Sequence, residues 1–487
     1  MPRDRRPTDK RRARRGSGDP RRARMWGRET REERAHSAFR RFPPPPRRSA
    51  WDYNRGMSPT PSSRRAPATP AVCLGCTLCC DDVSICCSPG KLSFSENLCL
   101  RGRVWFQRQA DAFYERGQGA CRIEGREAGL ESALEAAAKL LRSARNPVVC
   151  GLSHLSVQEQ QAAVRLAVQL RATIDVGWDE NRDGNLRALQ QTGRMTATLG
   201  QVELQSSGFL LVEAAPEMTH PRMFERLGWS QQRGWRIRSA DLPIGSLSQT
   251  SQGAIGEIVC SDLRQLNELI WLLRSQVTGI LELPLGIPGE WRQLVEEIVS
   301  TARTASGLTL VGGSRLNGEP ELSLGVHQLT RELNEICKAW LLLANDDENA
   351  GGAESVLTWS SGFPRAVSLK TGGPNWNREE YSAANLIRKG DIDCLIACVP
   401  ASDSTASDVI TSDLPQSLRS IPRIVFHCGA HPLVEDASVS IPVGQVGWDV
   451  SGDVLRMDEL TLTAERLAEP ARFGLANMFE QLEKQLG

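Results

Sequence analysis

The chain has 487 residues, enough for about three domains of ordinary size. Hydrophobic residues make up 40%, charged residues 24% and aromatics 5%, a globular composition that excludes a fibre and a wholly disordered chain. The net charge of +1 hides two unlike parts: residues 1–70 hold 21 Lys and Arg against 7 Asp and Glu, whereas the remainder holds 38 against 51.

No apolar run approaches the roughly 18 residues of a membrane span, and no apolar core follows the basic N-terminus as it would in a secretory signal. A cytoplasmic protein without membrane contact is expected. Residues 1–70 carry Lys10-Arg11-Arg12, several Arg pairs and four successive prolines, Pro43–Pro46, and show neither helical nor strand periodicity. They are read as a disordered Arg/Pro-rich tail. Met57 offers an alternative start that would remove most of it. No aromatic-interleaved platform is read alongside the tail's charge, so nucleic acid is not expected as a partner.

Seven of the 14 cysteines fall between positions 73 and 99. Such crowding in a long chain points to a metal site in a reducing compartment rather than to a disulfide scaffold. Cys73, Cys76 and Cys80 follow a C-x2-C-x3-C spacing, and Cys99 follows after eighteen intervening residues. Three thiolates on one tight loop with a distant fourth is how a 4Fe–4S cluster is held. Gly75 lets the loop turn, and Leu74, Leu78 and Leu98 can shield a cluster. Structural zinc, a metal-free remnant, and cysteines acting as small hydrophobes remain open on spacing alone. Cys79, Cys86 and Cys87 exceed the needs of four ligands.

Beyond this segment, helices are expected at Glu131–Ser143, Val157–Leu170, Leu263–Arg274, Glu290–Ser300 and Glu321–Glu335. Strands are expected at Pro147–Leu152, Gly208–Val212, Leu308–Val311, Ala339–Ala344, Asp393–Cys398 and Ile424–His427. Short apolar strands alternating with helices predict an α/β protein, mostly parallel sheets with helices on both faces. The expected division is a tail 1–70, a Cys-rich iron–sulfur-type subdomain 71–115, and α/β regions 116–300 and 301–487, which can be discontinuous. Nicotinamide, P-loop and zincin motifs are absent. His427 and His431 flank Cys428 but read as a strand followed by a turn rather than a metal pair. The glycine pairs 312–313, 351–352 and 372–373 read as turns, although such pairs can also let backbone amides approach phosphate.

At residues 73–102 the pattern resembles the B-type subunit of formylmethanofuran dehydrogenase: Cys73, Cys76, Cys80, Asp81, Asp82, then Asn97, Cys99 and Gly102. Pro147–Asp175, Met218–Arg222, Thr358–Pro364, Ile441-Pro442 and Leu455–Met457 extend the likeness to about residues 71–465. The resemblance implies a molybdopterin oxidoreductase-like fold. It also implies a 4Fe–4S cluster on Cys73, Cys76, Cys80 and Cys99. Two departures stand out. Asn181 occupies the place of the family's molybdenum- or tungsten-ligating cysteine, and no cysteine lies between Cys150 and Cys260. Asn345-Asp346-Asp347 replaces an Arg-Gly-His stretch near the metal. This looks like the B-type subunit of the bacterial formyltransferase/hydrolase complex. That likeness implies a scaffold in tetrahydromethanopterin- and methanofuran-linked one-carbon metabolism, oxidising formaldehyde to formate. The molybdopterin and its metal would be absent and no residue of the chain catalytic. Its implied partners are three further subunits, one amidohydrolase-like, one glutamate synthase-like and one a formyltransferase. The alternative is an active molybdopterin-dependent subunit with its cluster.

Overall fold

The computed structural model describes residues 68–88, 91–116, 119–177, 183–229, 232–244, 255–345, 348–400, 418, 420–469 and 473–487. Almost all of the expected tail lies outside the described residues, and so do Asn181, Asp346 and Asp347. The chain divides into units Met1–Arg64 and Arg65–Gly487, and the second carries everything that follows.

The first sheet within it is small and antiparallel: Thr69–Ala71, Val83–Ser88 and Lys91–Phe94. The cysteine loop 72–82 joins its first two strands, and Cys99 immediately precedes the helix Leu100–Arg116.

A five-stranded sheet runs in the order Ile255–Cys260, Arg233–Ser239, Gly208–Val212, Gly307–Gly313, Lys338–Ala344, every pair parallel. Its central strands are apolar on both faces, as full burial requires. Leu210, Val212, Leu308 and Leu310 face the helices Leu263–Thr278, Gly289–Thr304 and Pro320–Leu333. Phe209, Leu211, Val311 and Leu342 face the other way, onto Leu78, Cys76, Trp105 and Phe106. The cysteine segment and its helix therefore roof one face of this sheet.

The nine-stranded sheet is assembled from two separated stretches of chain. Its five central strands, Thr173–Ile174, Pro147–Cys150, Cys394–Val399, Arg423–His427 and Val439–Pro442, are parallel. Val367–Ser368 and Asn375–Trp376 extend one edge, and Cys121–Ile123 and Arg126–Ala128 the other, all antiparallel. The expected α/β class holds, with an antiparallel rim added at each edge of this sheet. The five-stranded unit is thus an insertion between residues 174 and 367, and residue 300 falls within its helix Gly289–Thr304.

Helices cover the larger sheet on both sides. Leu130–Ser143 buries Ala133, Leu134, Ala137, Ala138 and Leu141, one stripe at helical spacing. Val157–Leu170 starts in a capping box, with Ser156 and Glu159 satisfying each other's backbone N–H groups. Glu159 also accepts from the Leu475 N–H at 3.0 Å, so one buried carboxylate holds the start of two helices. Asp175 works similarly, accepting from the N–H groups of Val176, Ala366 and Ala383 and tying two distant segments to one strand end. None of the helices described is long and apolar enough to cross a membrane.

Candidate functional site: a cysteine loop beside a polar cleft

Cys73, Cys76 and Cys80 are buried on the loop, and Cys99 is half-buried at the start of its helix. A bond from the Cys73 N–H to the Cys80 carbonyl at 2.9 Å closes the loop. Two glycines permit the fit. A Cβ on Gly102 would stand 2.9 Å from the Cys73 sulfur, and one on Gly75 would stand 3.2 Å from the Gly102 Cα. Arg101 clamps the same junction, donating from Nε to the Gly75 carbonyl at 2.6 Å.

The four thiols lie within electrostatic reach of one another. Burial first, and then the neighbouring sulfurs, raise each of the first three, Cys76 to about 12 and Cys80 to about 11. Backbone groups of Gly75 and Leu78 favour the thiolates of Cys73 and Cys76, and Arg222 and Arg226 favour that of Cys80. Four thiolates can coexist there only with a cation among them, so the donor set fits a metal group. Among the described residues, no three or more His, Cys, Asp or Glu side chains gather closely enough to hold a single ion.

The surplus cysteines are accounted for. Cys79, with φ of 41°, packs against Val446, Val454 and Ala464, and its thiol is directed to the Cys76 carbonyl. Cys86 and Cys87 belong to the strand Val83–Ser88.

The loop is gripped from outside by segments far away in sequence. Arg222 donates to both Asp82 oxygens at 2.7 and 2.6 Å, and Arg226 reaches Asp81 at 2.8 Å. The side-chain bond to Arg222 holds the Asp82 carboxyl down at about 2. Thr77, between Cys76 and Cys80, meets three other segments of chain. Its hydroxyl bonds to His220 at 2.8 Å and donates to the Asn345 carbonyl at 3.0 Å, and its backbone carbonyl accepts from the Met457 N–H at 2.9 Å. His220 is fully buried, and that burial lowers its pKa to about 3. It stands as a hydrogen-bonded structural histidine, bonded through both ring nitrogens.

Thr77 also lines a cleft of about 250 Å³ at the end of the strand Lys338–Ala344. Two stretches that carry the sequence resemblance, Thr358–Pro364 and Leu455–Met457, meet here with Asn345, which opens one of the departures from it. Its arginines are already paired, Arg194 with Glu459, Arg365 with Glu354 at 2.6 Å, and Arg456 with Asp458 at 2.7 and 2.8 Å. No cysteine is among its lining residues described here.

The remaining candidates are structural. His427 ends a strand, its Nδ1 2.8 Å from the Gly429 carbonyl, and His431 accepts from the Leu433 N–H at 3.2 Å to cap a short helix. Gly312 and Gly313 end a strand, Gly351 and Gly352 open the helix Ala350–Ser361, and Gly372 turns with φ of 86°.

No family model matches the chain. It is 24% identical over 422 residues to the B-type subunit of tungsten-containing formylmethanofuran dehydrogenase 2 from Methanocaldococcus jannaschii, covering 82% of this chain and 93% of that one. It is 26% identical over 282 residues to the B-type subunit of the formyltransferase/hydrolase complex Fhc from Methylorubrum extorquens, covering 57% and 75%. The fold matches a chain in the crystal structure of the FhcABCD complex from that organism, determined with methylofuran. The TM-score is 0.61 at 21% identity, over 75% of this chain and 98% of the other. The resemblance carried by the motifs agrees with the names of these relatives.

Proposed function

We propose that the chain is the B-type subunit of a multisubunit formyl-handling complex, acting as a scaffold that keeps a four-cysteine site and has lost the redox metal. The observation that carries membership is the match along 93% of the formylmethanofuran dehydrogenase subunit. The partners would be an amidohydrolase-like, a glutamate synthase-like and a formyltransferase subunit. The pathway would be methanofuran-linked oxidation of formaldehyde to formate.

Two features support the loss of redox chemistry. The sequence has Asn181 where the relatives' pattern calls for a thiolate, and none of the described residues lining the cleft is a cysteine. An amide oxygen is a poor ligand for a soft metal. Cys73, Cys76, Cys80 and Cys99 would hold a 4Fe–4S cluster, which would cross-link the loop to the helix Leu100–Arg116. That no three His, Cys, Asp or Glu side chains among the described residues gather closely enough to hold a single ion favours a cluster over a zinc ion.

The test is purification of the native chain through a C-terminal tag, with identification of whatever accompanies it. Stoichiometric recovery of the three partner types is expected. A chain that runs alone at cellular concentration would remove the scaffold reading.

A further inference from the structure

Thr77 is not a metal ligand, yet it is the residue that the cysteine loop and the cleft share. Its bonds have a direction that can be worked out. A threonine hydroxyl has one proton, and a carbonyl oxygen can only accept. The Thr77 proton is therefore spent on Asn345, and toward His220 Nε2 the hydroxyl must accept. Nε2 then carries the ring proton. Nδ1, 2.9 Å from the Thr219 hydroxyl, is the acceptor, and Thr219 donates to it rather than to the Ala215 carbonyl, 3.4 Å away. The chain of donors then runs Thr219, His220, Thr77, Asn345; the opposite neutral tautomer would take the Thr77 proton from the Asn345 carbonyl and leave Thr219 to its longer bond with Ala215.

We propose that Thr77 and His220 form a proton-ordered latch that positions the Cys76–Cys80 loop against the cleft wall. Both are positioning residues for the cysteine site. The inference rests on the reading of the four cysteines as ligands. The latch holds the loop at the residue that directly follows Cys76. Arg222 and Arg226 hold it just beyond Cys80, from the same short stretch of chain as His220. The Met457 N–H fixes the backbone of Thr77 itself. Without the hydroxyl, the His220 N–H and the Asn345 carbonyl would lose their bonds to it in a buried place, a cost that only movement of the loop can relieve.

The experiment compares the full-length protein with Thr77→Val and Thr77→Ser, each purified anaerobically with its partners. Two readouts are taken. The first is the 15N shift pattern of His220 in histidine-labelled protein. The second is the rate of iron loss to a chelator. The latch predicts a neutral Nε2–H ring in the wild type. It also predicts iron loss about tenfold faster or more in Thr77→Val, with near-wild-type behaviour in Thr77→Ser. Iron held equally well in Thr77→Val would overturn the positioning role. An Nδ1–H or charged ring in the wild type would overturn the latch whether or not iron binds. A wild type that holds no iron but shows the Nε2–H ring would instead count against the cluster reading and leave the latch supported. If Thr77→Val does not fold, the wild-type ring and Thr77→Ser still decide between these results.

Discussion

Asp82 shows how much one side chain beside the cysteine loop contributes to its placement. It takes both prongs of the Arg222 guanidinium, and that bond lowers its pKa from 3.8 to about 2. A carboxyl depressed on folding stabilises the protein above its unfolded pKa and loses that stabilisation as pH falls through the folded one. The stability gap between wild type and Asp82→Asn should therefore be constant above about pH 5 and close between about 4 and 2. Urea midpoints measured across that range, at low salt, check it. A gap that grows on acidification would show that Asp82 is held for another reason. The four cysteines are legible in the sequence, because their spacing is itself the signal. Thr77 is not, since a lone threonine among cysteines has no pattern. Its role depends on Asn345 and Met457, which only the tertiary fold brings to it.

At the scale of elements, periodicity is most informative where segments are long or wholly apolar. Val157–Leu170 and Gly208–Val212 have the bounds that their residues predict, and the other expected strands and helices of the two large sheets differ mainly at their ends. The helix Leu100–Arg116 escapes that reading. Its charged residues conceal a narrow stripe of Trp105, Phe106, Gln109 and Ala110, buried on the side of the cysteine loop. The strands Arg233–Ser239 and Ile255–Cys260 escape it because Arg and Glu interrupt them, and Arg238 pairs with Glu257 across the sheet. Backbone geometry is decisive between the elements. Gly151, just after the strand Pro147–Cys150, has φ of 86°, and a Cβ there would lie 2.1 Å from the Cys398 carbonyl oxygen. Gly151→Ala should cost about 3 kcal/mol or more, from the left-handed backbone and the overlap together. Gly200→Ala, inside the helix Leu199–Gln205 with open space around it, should be neutral or slightly stabilising. Thermal or chemical denaturation of the two variants side by side tests the contrast, and equal effects would contradict it.

At the scale of the whole described unit, two sheets are wound alike. The parallel strands of each begin at an inner strand, build outward on one side, then return to build on the other. The alternation of strands and helices makes this class of fold readable, but not the insertion of one sheet's chain within the other's. Nothing local marks that event. The cysteine segment roofs the inserted sheet, and the cleft opens beside it with its arginines already paired. That combination is what a scaffold descended from a redox subunit would keep. The most direct measurement is the Fe, Mo and W content of the native protein, purified anaerobically with its partners from metal-replete cells. The account predicts about four irons per chain and no stoichiometric molybdenum or tungsten. Molybdenum or tungsten near one per chain would contradict it, and would make the cleft a working redox site despite Asn181.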